Sequence, residues 1–233
     1  VPTLEKDDCQ VIVNTRNGHA VLGTLGLLCS HRAVYPLRFG GEDGDGWSLQ
    51  DWCEQCHRKK GLVVWSDLGE SRLESEALAN AISGQIDAFE FSQFEEVEST
   101  ALDEWIRLLD IGLRLPIVAG SRKDSNGVAL GSVRTYAFLG PEVEATYRNW
   151  IEAIREGRTF VTNGPILSVT VNGEMPGSVL QVEQGATLDI QMQYQSTVPI
   201  EYLEILINGE TIEAKHTSGT RLGTMHDCEW SAE

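Results

Sequence analysis

The chain has 233 residues, enough to bury one sizeable core and a smaller second one. Hydrophobic content of 41% and charged content of 23% are ordinary for a globular protein, while a net charge of -17 argues against nucleic acid or an anionic membrane as partner. No apolar run approaches the roughly 20 residues that a membrane-crossing helix needs, so no such span is expected.

Residues 1–8 are charged and carry neither an initiator Met nor an apolar targeting core. The end, residues 225–233, is equally abrupt, and the sequence reads as a piece of a longer protein at both ends. Residues 10–14 and 19–23 read as two short strands around a turn at Arg16-Asn17-Gly18. The glycine-rich stretch 40–46 offers carboxylates for Ca2+, but its spacing does not match the calcium-loop pattern, and a loop is the simpler reading.

Ser48 with Asp51 is a capping-box pattern opening a helix that Gly61 closes. Within that helix, Cys53-Glu-Gln-Cys56-His57 is formally a haem-attachment or thiol-zinc pattern, yet it shares an amphipathic face with Trp52 and reads best as plain helix. The isolated Cys9, Cys29 and Cys228 read as small core residues, and nothing resembles a disulfide framework. Residues 62–65 form a buried strand, about 72–83 a helix stopping at Gly84, and 86–90 a strand ending on Glu90. Glu90 would point toward an active face, with solvent or an ion pair as its alternative. Thr100 with Asp103 opens a third helix that runs to Gly112.

Residues 115–119 read as a buried parallel strand, followed by the loop Gly120-Ser121-Arg122-Lys123-Asp124-Ser125-Asn126. A polar loop at the carboxyl end of such a strand is where α/β proteins place their chemistry. Asp124 fits a metal-binding carboxylate or a plain turn residue. Two residues on stands Asn126, whose neutral amide is a poor replacement for an imidazole. Arg122 and Lys123 could neutralise an anionic substrate or face water. A strand over 133–138 and an amphipathic helix over about 142–156 complete this half. Strand and helix alternate three times with tight connections, the pattern of βαβ units on a parallel sheet or barrel.

After Gly164-Pro165 the period changes from helical to two. Residues 166–171, 187–194 and 200–207 alternate apolar and polar, and Asn172-Gly173 and Asn208-Gly209 are strong hairpin signals. A division of the chain into 1–164 and 165–233 is expected, the second part being a small, incomplete antiparallel β-sandwich-like domain with an exposed apolar face or edge.

Several phrases together resemble a known family. Trp150-Ile-Glu-Ala-Ile-Arg-Glu-Gly-Arg-Thr-Phe-Val-Thr-Asn-Gly-Pro165 carries most of the likeness. Gly18-His19, Gly61-Leu-Val-Val64, Ile86-Asp-Ala-Phe-Glu90 and Gly120 with Asp124-Ser125 follow in the right order. The chain resembles the carbaryl-hydrolase-like (CehA/McbA-type) branch of the PHP superfamily, the polymerase-and-histidinol-phosphatase metallohydrolases. The likeness implies an α/β fold, a partial distorted (β/α)7 barrel followed by the β domain. It also implies a divalent metal (Zn, Mn or Fe) if the chain is active, and a small-molecule substrate holding a carbamate, ester, amide or phosphoester bond. It carries over Glu5, His19 and Asp124 as metal ligands; alone, His19 would read as a satisfied core histidine. Ser66 and Asn126 stand where the family has imidazoles, and the first His-x-His pair is absent. Arg122, Lys123 and Asn126 become substrate-contact candidates. Two expectations compete: a metallohydrolase with a degenerate site, or a non-catalytic scaffold whose β domain contacts protein or carbohydrate, with a hint of an extracytoplasmic role.

Overall fold

The computed structural model describes residues 3–6, 9–19, 21–39, 46–66, 76–91, 100–123, 125–217 and 226–232. The chain opens with an antiparallel pair, β1 (Thr3–Lys6) and β2 (Cys9–Ile12). The central sheet has six strands. In chain order they are β3 (Thr15–His19), β4 (Gly23–Leu28), β5 (Arg38–Phe39), β6 (Leu62–Trp65), β7 (Ala88–Phe91) and β8 (Ile117–Ala119), and in space they run β5-β3-β4-β6-β7-β8. β6, β7 and β8 are mutually parallel, while β4 is antiparallel to both β3 and β6. Helices α1 (Leu49–Arg58), α2 (Glu76–Ile82), α3 (Thr100–Asp110) and α4 (Tyr147–Arg155) accompany it. None of the described helices is long and apolar enough to cross a membrane.

The turn expected at Arg16-Asn17-Gly18 is instead the interior of β3, which pairs with β4 from His19 opposite Gly23 back to Thr15 opposite Leu27. The reason is the use made of Asn17. Its side chain is fully buried, and Nδ2 donates to the carbonyls of Val34 and Pro36, both at 3.0 Å, pinning a loop instead of its own turn. Gly18 donates its backbone N–H to Leu37 at 3.0 Å, so the segment is spent on long-range bonds.

α1 starts as its sequence suggests: Ser48 Oγ accepts from the Asp51 N–H at 3.3 Å, and Asp51 Oδ2 accepts from the Ser48 N–H at 2.8 Å. Its inward stripe is Leu49, Trp52, Cys53 and Cys56, all buried. At the other end Lys60, φ 59°, takes the left-handed conformation. Gly61 serves close approach instead: a Cβ there would lie 2.5 Å from Cys56 Sγ and 2.7 Å from the Leu28 carbonyl.

The pleat sends alternate residues to two cores. Leu25, Leu27, Val63, Trp65, Phe89 and Phe91 pack with α1, α2 and α3 on one face. An edge-to-face relay from Trp65 to Phe89 to Phe91 to Trp105 runs through it, with centroid spacings of 5.7, 5.7 and 6.2 Å. On the other face Leu62, Val64, Ala88 and Val118 meet Ile151 and Ile154 of α4. Asp87, just before β7, ties these layers together. It accepts the Val63 N–H at 2.7 Å, lies 2.9 Å from His57 Nε2 of α1, and pairs with Arg155 Nη1 of α4 at 2.9 Å.

Next to β8 lies the antiparallel pair β9 (Arg134–Ala137) and β10 (Thr159–Thr162). Two threonines attach it: Thr135 Oγ1 exchanges hydrogen bonds with the backbone of Ala119 at 2.7 and 2.8 Å, and Thr159 Oγ1 donates to the Ile117 carbonyl at 2.9 Å. Beyond residue 165 every described element is strand. β11 (Ile166–Val171), β12 (Ile190–Ser196) and β15 (His226–Ala232) form one antiparallel sheet, and β13 (Tyr202–Ile207) with β14 (Glu210–His216) forms a hairpin. The Asn208-Gly209 turn makes that hairpin, with φ of 51° and 82°. Asn172-Gly173 forms the same kind of turn but closes a single bridge, Val171 to Glu174, before the chain leaves. The two glycines Gly157 and Gly177 meet back to back: a Cβ on Gly177 would come 2.2 Å from the Glu156 carbonyl oxygen.

Candidate functional site

At the carboxyl ends of β6, β7 and β8 the α4-facing side of the sheet opens into a cavity of about 290 Å³. Period two decides who lines it. Val64 and Ser66, Glu90, and Val118 and Gly120 are the residues of each strand and its exit that fall on this face. Arg16 and Gly26 join them from the neighbouring hairpin. Gly26 is what makes room, since a Cβ there would sit 3.0 Å from Ser66 Oγ.

Ser66 is buried, takes its backbone N–H to the Thr24 carbonyl at 3.0 Å, and accepts from Arg16 Nη2 on its own carbonyl at 2.8 Å. That bond fixes the guanidinium in the cavity wall. Asn14 closes another side. Its Oδ1 accepts from the Tyr147 hydroxyl at 3.0 Å and from the Cys29 N–H at 3.0 Å, while Cys29 N–H also reaches the Tyr147 oxygen at 3.2 Å. Burial pushes the Tyr147 phenol up to about 12, so it is a neutral donor at ordinary pH. Among its described lining residues the cavity thus presents one guanidinium, one carboxylate and hydroxyl and amide groups around an apolar floor. Such a set can orient a small polar molecule by hydrogen bonds and charge.

Of the expected metal ligands and substrate contacts that are described, none lines this cavity. His19 ends β3, and its Nδ1 accepts from the N–H groups of Val21 at 3.0 Å and Leu22 at 2.9 Å. Both bonds use Nδ1 as an acceptor, which takes that nitrogen out of reach of a metal. Glu5 is in β1, with its side chain outside the described set, and Asp124 lies outside the described residues altogether. Arg122, φ 47°, and Asn126 are exposed. Lys123 folds back on its own loop, Nζ donating to the carbonyls of Ser125 and Val128, both at 2.7 Å.

Among the described residues no group of three or more His, Cys, Asp or Glu side chains converges as a metal ion would need. Among its described lining residues the cavity offers one carboxylate, Glu90, together with the Arg16 guanidinium, a donor set that does not fit a divalent cation. The Cys53/Cys56 pair is fully buried, with desolvation raising the two thiols to about 12 and about 11, and Cys56 Sγ lies 3.3 Å from Ser30 Oγ. Protonated thiols inside a packed helix neither bind haem nor ligate zinc. Of the isolated cysteines, Cys9 is exposed and not a core residue, because the β1–β2 pair leaves Cys9, Gln10 and Val11 all uncovered, Cys29 is half-buried, and the Cys228 side chain lies outside the described set.

Asn14, Arg16 and Tyr147 were not expected at a site: Arg16 read as a turn residue and Tyr147 as part of the apolar face of the 142–156 helix. Asn14 and Tyr147 meet across 133 positions, a separation no local pattern encodes.

No family model matches the chain, and no curated protein matches it. Among solved structures it is similar to a two-domain protein containing a predicted PHP-like metal-dependent phosphoesterase from Bacteroides vulgatus ATCC 8482, at 10% identity and a TM-score of 0.39. The match covers 79% of this chain and 57% of that one, so the chain spans less than two thirds of its length.

Proposed function

We propose that the chain descends from the PHP metal-dependent hydrolases, of the carbaryl-hydrolase-like branch, and keeps their ligand cavity with a degenerate metal site. In this reading the six-stranded sheet is the described part of a distorted (β/α)7 barrel, and residues 165–233 are its trailing β domain. The observation that supports it best is the place of Ser66. It stands where the resembled family has an imidazole, and it lines the cavity beside Glu90 and Arg16 at the carboxyl ends of the parallel strands. Bound metal in such a site would lower the pKa of water and polarise a carbamate, ester, amide or phosphoester bond. What this chain supplies instead is Arg16, held by the Ser66 carbonyl to meet an anionic group, and Glu90, to accept hydrogen bonds. Glu5 and Asp124 remain proposed ligands with His19, and Arg122, Lys123 and Asn126 proposed substrate contacts.

Metal analysis by mass spectrometry on chelator-free protein, with a panel of carbamate, ester and phosphoester substrates, tests the reading. We expect metal well below one ion per chain and little turnover. Near-stoichiometric metal that disappears in His19→Ala, together with turnover, would overturn it. A second reading, a scaffold whose β domain contacts protein or carbohydrate, draws on the exposed apolar residues Tyr202, Leu206, Ile207 and Ile212 of the β13–β14 hairpin.

A further inference from the structure

The cavity at the sheet carries opposite charges on two of its strands. Arg16 of β3 and Glu90 of β7 both line it, and β4 and β6 stand between their strands. Arg16 lies opposite Gly26 in the β3–β4 register, and Gly26 lies opposite Val64 of β6. With no side chain on Gly26, the arginine can lie across β4, and its Nη2 reaches the Ser66 carbonyl at 2.8 Å. The guanidinium is thereby brought to the exit of β6, the strand beside that of Glu90. Neighbouring strands lie about 4.8 Å apart, so the two opposite charges face one small space. Arg16 is exposed and Glu90 half-buried, so neither is sealed from solvent. The bond to Ser66 uses Nη2 and leaves the rest of the fork to donate elsewhere. A carboxylate has lone pairs for several donors, so Glu90 can accept from an ammonium beside any other bond it makes. Under these charges Leu28, Val64, Val118 and Trp150 form an apolar floor.

We propose that this cavity binds the zwitterion of a small α-amino acid with an apolar side chain. Its carboxylate would accept from Arg16, its ammonium would donate to Glu90, and its side chain would rest on the floor. The volume of about 290 Å³ lies at the small end of ligand pockets, which run from roughly 300 to 1,000 Å³, and favours a molecule of this size. A ligand with a single charge would leave one of the two walls unmatched. A zwitterion engages both, and each charge-assisted bond is about twice as strong as a neutral one. The inference rests on the reading of this cavity as a ligand site, but needs neither metal nor turnover.

Isothermal titration calorimetry on the whole chain, with chelator present, compares leucine with isoamylamine and isocaproate. These keep its side chain but lack its carboxylate or its ammonium. We expect leucine to bind about tenfold more tightly than either analogue. Arg16→Gln should remove the advantage over isoamylamine, and Glu90→Gln the advantage over isocaproate. Equal affinity of leucine and either analogue for the unaltered chain overturns the proposal, as does an advantage that survives both substitutions. Should the variants not fold, the order of the three probes on the unaltered chain still decides, with the indole N–H resonance of Trp150 reporting the place. A shift of that resonance on adding leucine supports the site, and saturation of binding without one refutes it. Leucine binding would stand even if near-stoichiometric metal overturned the degenerate-site reading, whereas metal and turnover without leucine binding would sink this inference.

Discussion

At the scale of single residues, Asp87 carries the most. It is mostly buried and satisfies a strand N–H, a histidine and an arginine together. Asp87→Ala would strand the Val63 N–H and leave Arg155 with only its longer pair to Glu152 at 3.9 Å, so a loss of about 2–4 kcal/mol is expected by urea unfolding. A change below about 1 kcal/mol would show that water replaces the carboxylate. The buried thiols and phenol make a pH prediction. Cys53, Cys56 and Tyr147 all have folded pKa values above their ordinary values of 9.0, 9.0 and 10.0. The folded chain therefore holds protons that the unfolded chain releases, and stability falls as pH rises through about 9. Each group removes about 1.4 kcal/mol per pH unit once its unfolded form ionises. Denaturant midpoints measured from pH 7 to 10.5 should be flat at first and then drop steeply. A flat profile to pH 10.5 would show that these groups are not buried.

At the scale of elements, α1 was legible almost completely because its information is local. Ser48, Asp51 and the Leu49, Trp52, Cys53, Cys56 stripe all lie within one stretch of chain. Ser48→Ala should cost about 1 kcal/mol. Gly61→Ala should cost more, about 2–3 kcal/mol, because its new methyl would meet a buried thiol, a hydroxyl and a backbone carbonyl at 2.5–2.7 Å. Thermal unfolding of the pair checks the order, and equal costs would mean that β4 and α1 yield easily there. β3 was misread for the converse reason. Asn17 and Gly18 look like turn residues, but their partners lie in the 34–37 loop, and only tertiary structure reveals them. The candidate site divides along the same line. Ser66, Glu90 and Gly120 fall at strand ends that the hydrophobic pattern marks, whereas Arg16 and Asn14 line the cavity through pairings that no period encodes, Asn14 being held by Tyr147 from 133 positions away.

At the scale of the molecule, the change of grammar near residue 165 is accompanied by a change of partner. β10 still pairs with β9, and β11 pairs with β12. We expect limited proteolysis to cut first between 162 and 166 and to leave two lasting fragments. The Gly157–Gly177 contact opposes that separation, since the 174–178 turn rests on the end of α4. Gly177→Ala, with φ of 90° and a carbonyl in the way, should speed the cleavage by severalfold without unfolding β6 or β7. Cleavage at an unchanged rate would mean that this contact holds nothing.

The placement of α4 also has a consequence for how the chain is made. Leu62, Val64 and Ala88 have left the ribosome well before Ile151 and Ile154, the side chains that cover them, have been translated. During that interval an apolar sheet face is wet and Asp87 has no guanidinium. A nascent chain stalled before residue 147 should therefore recruit chaperones, and release from them should coincide with the emergence of Arg155.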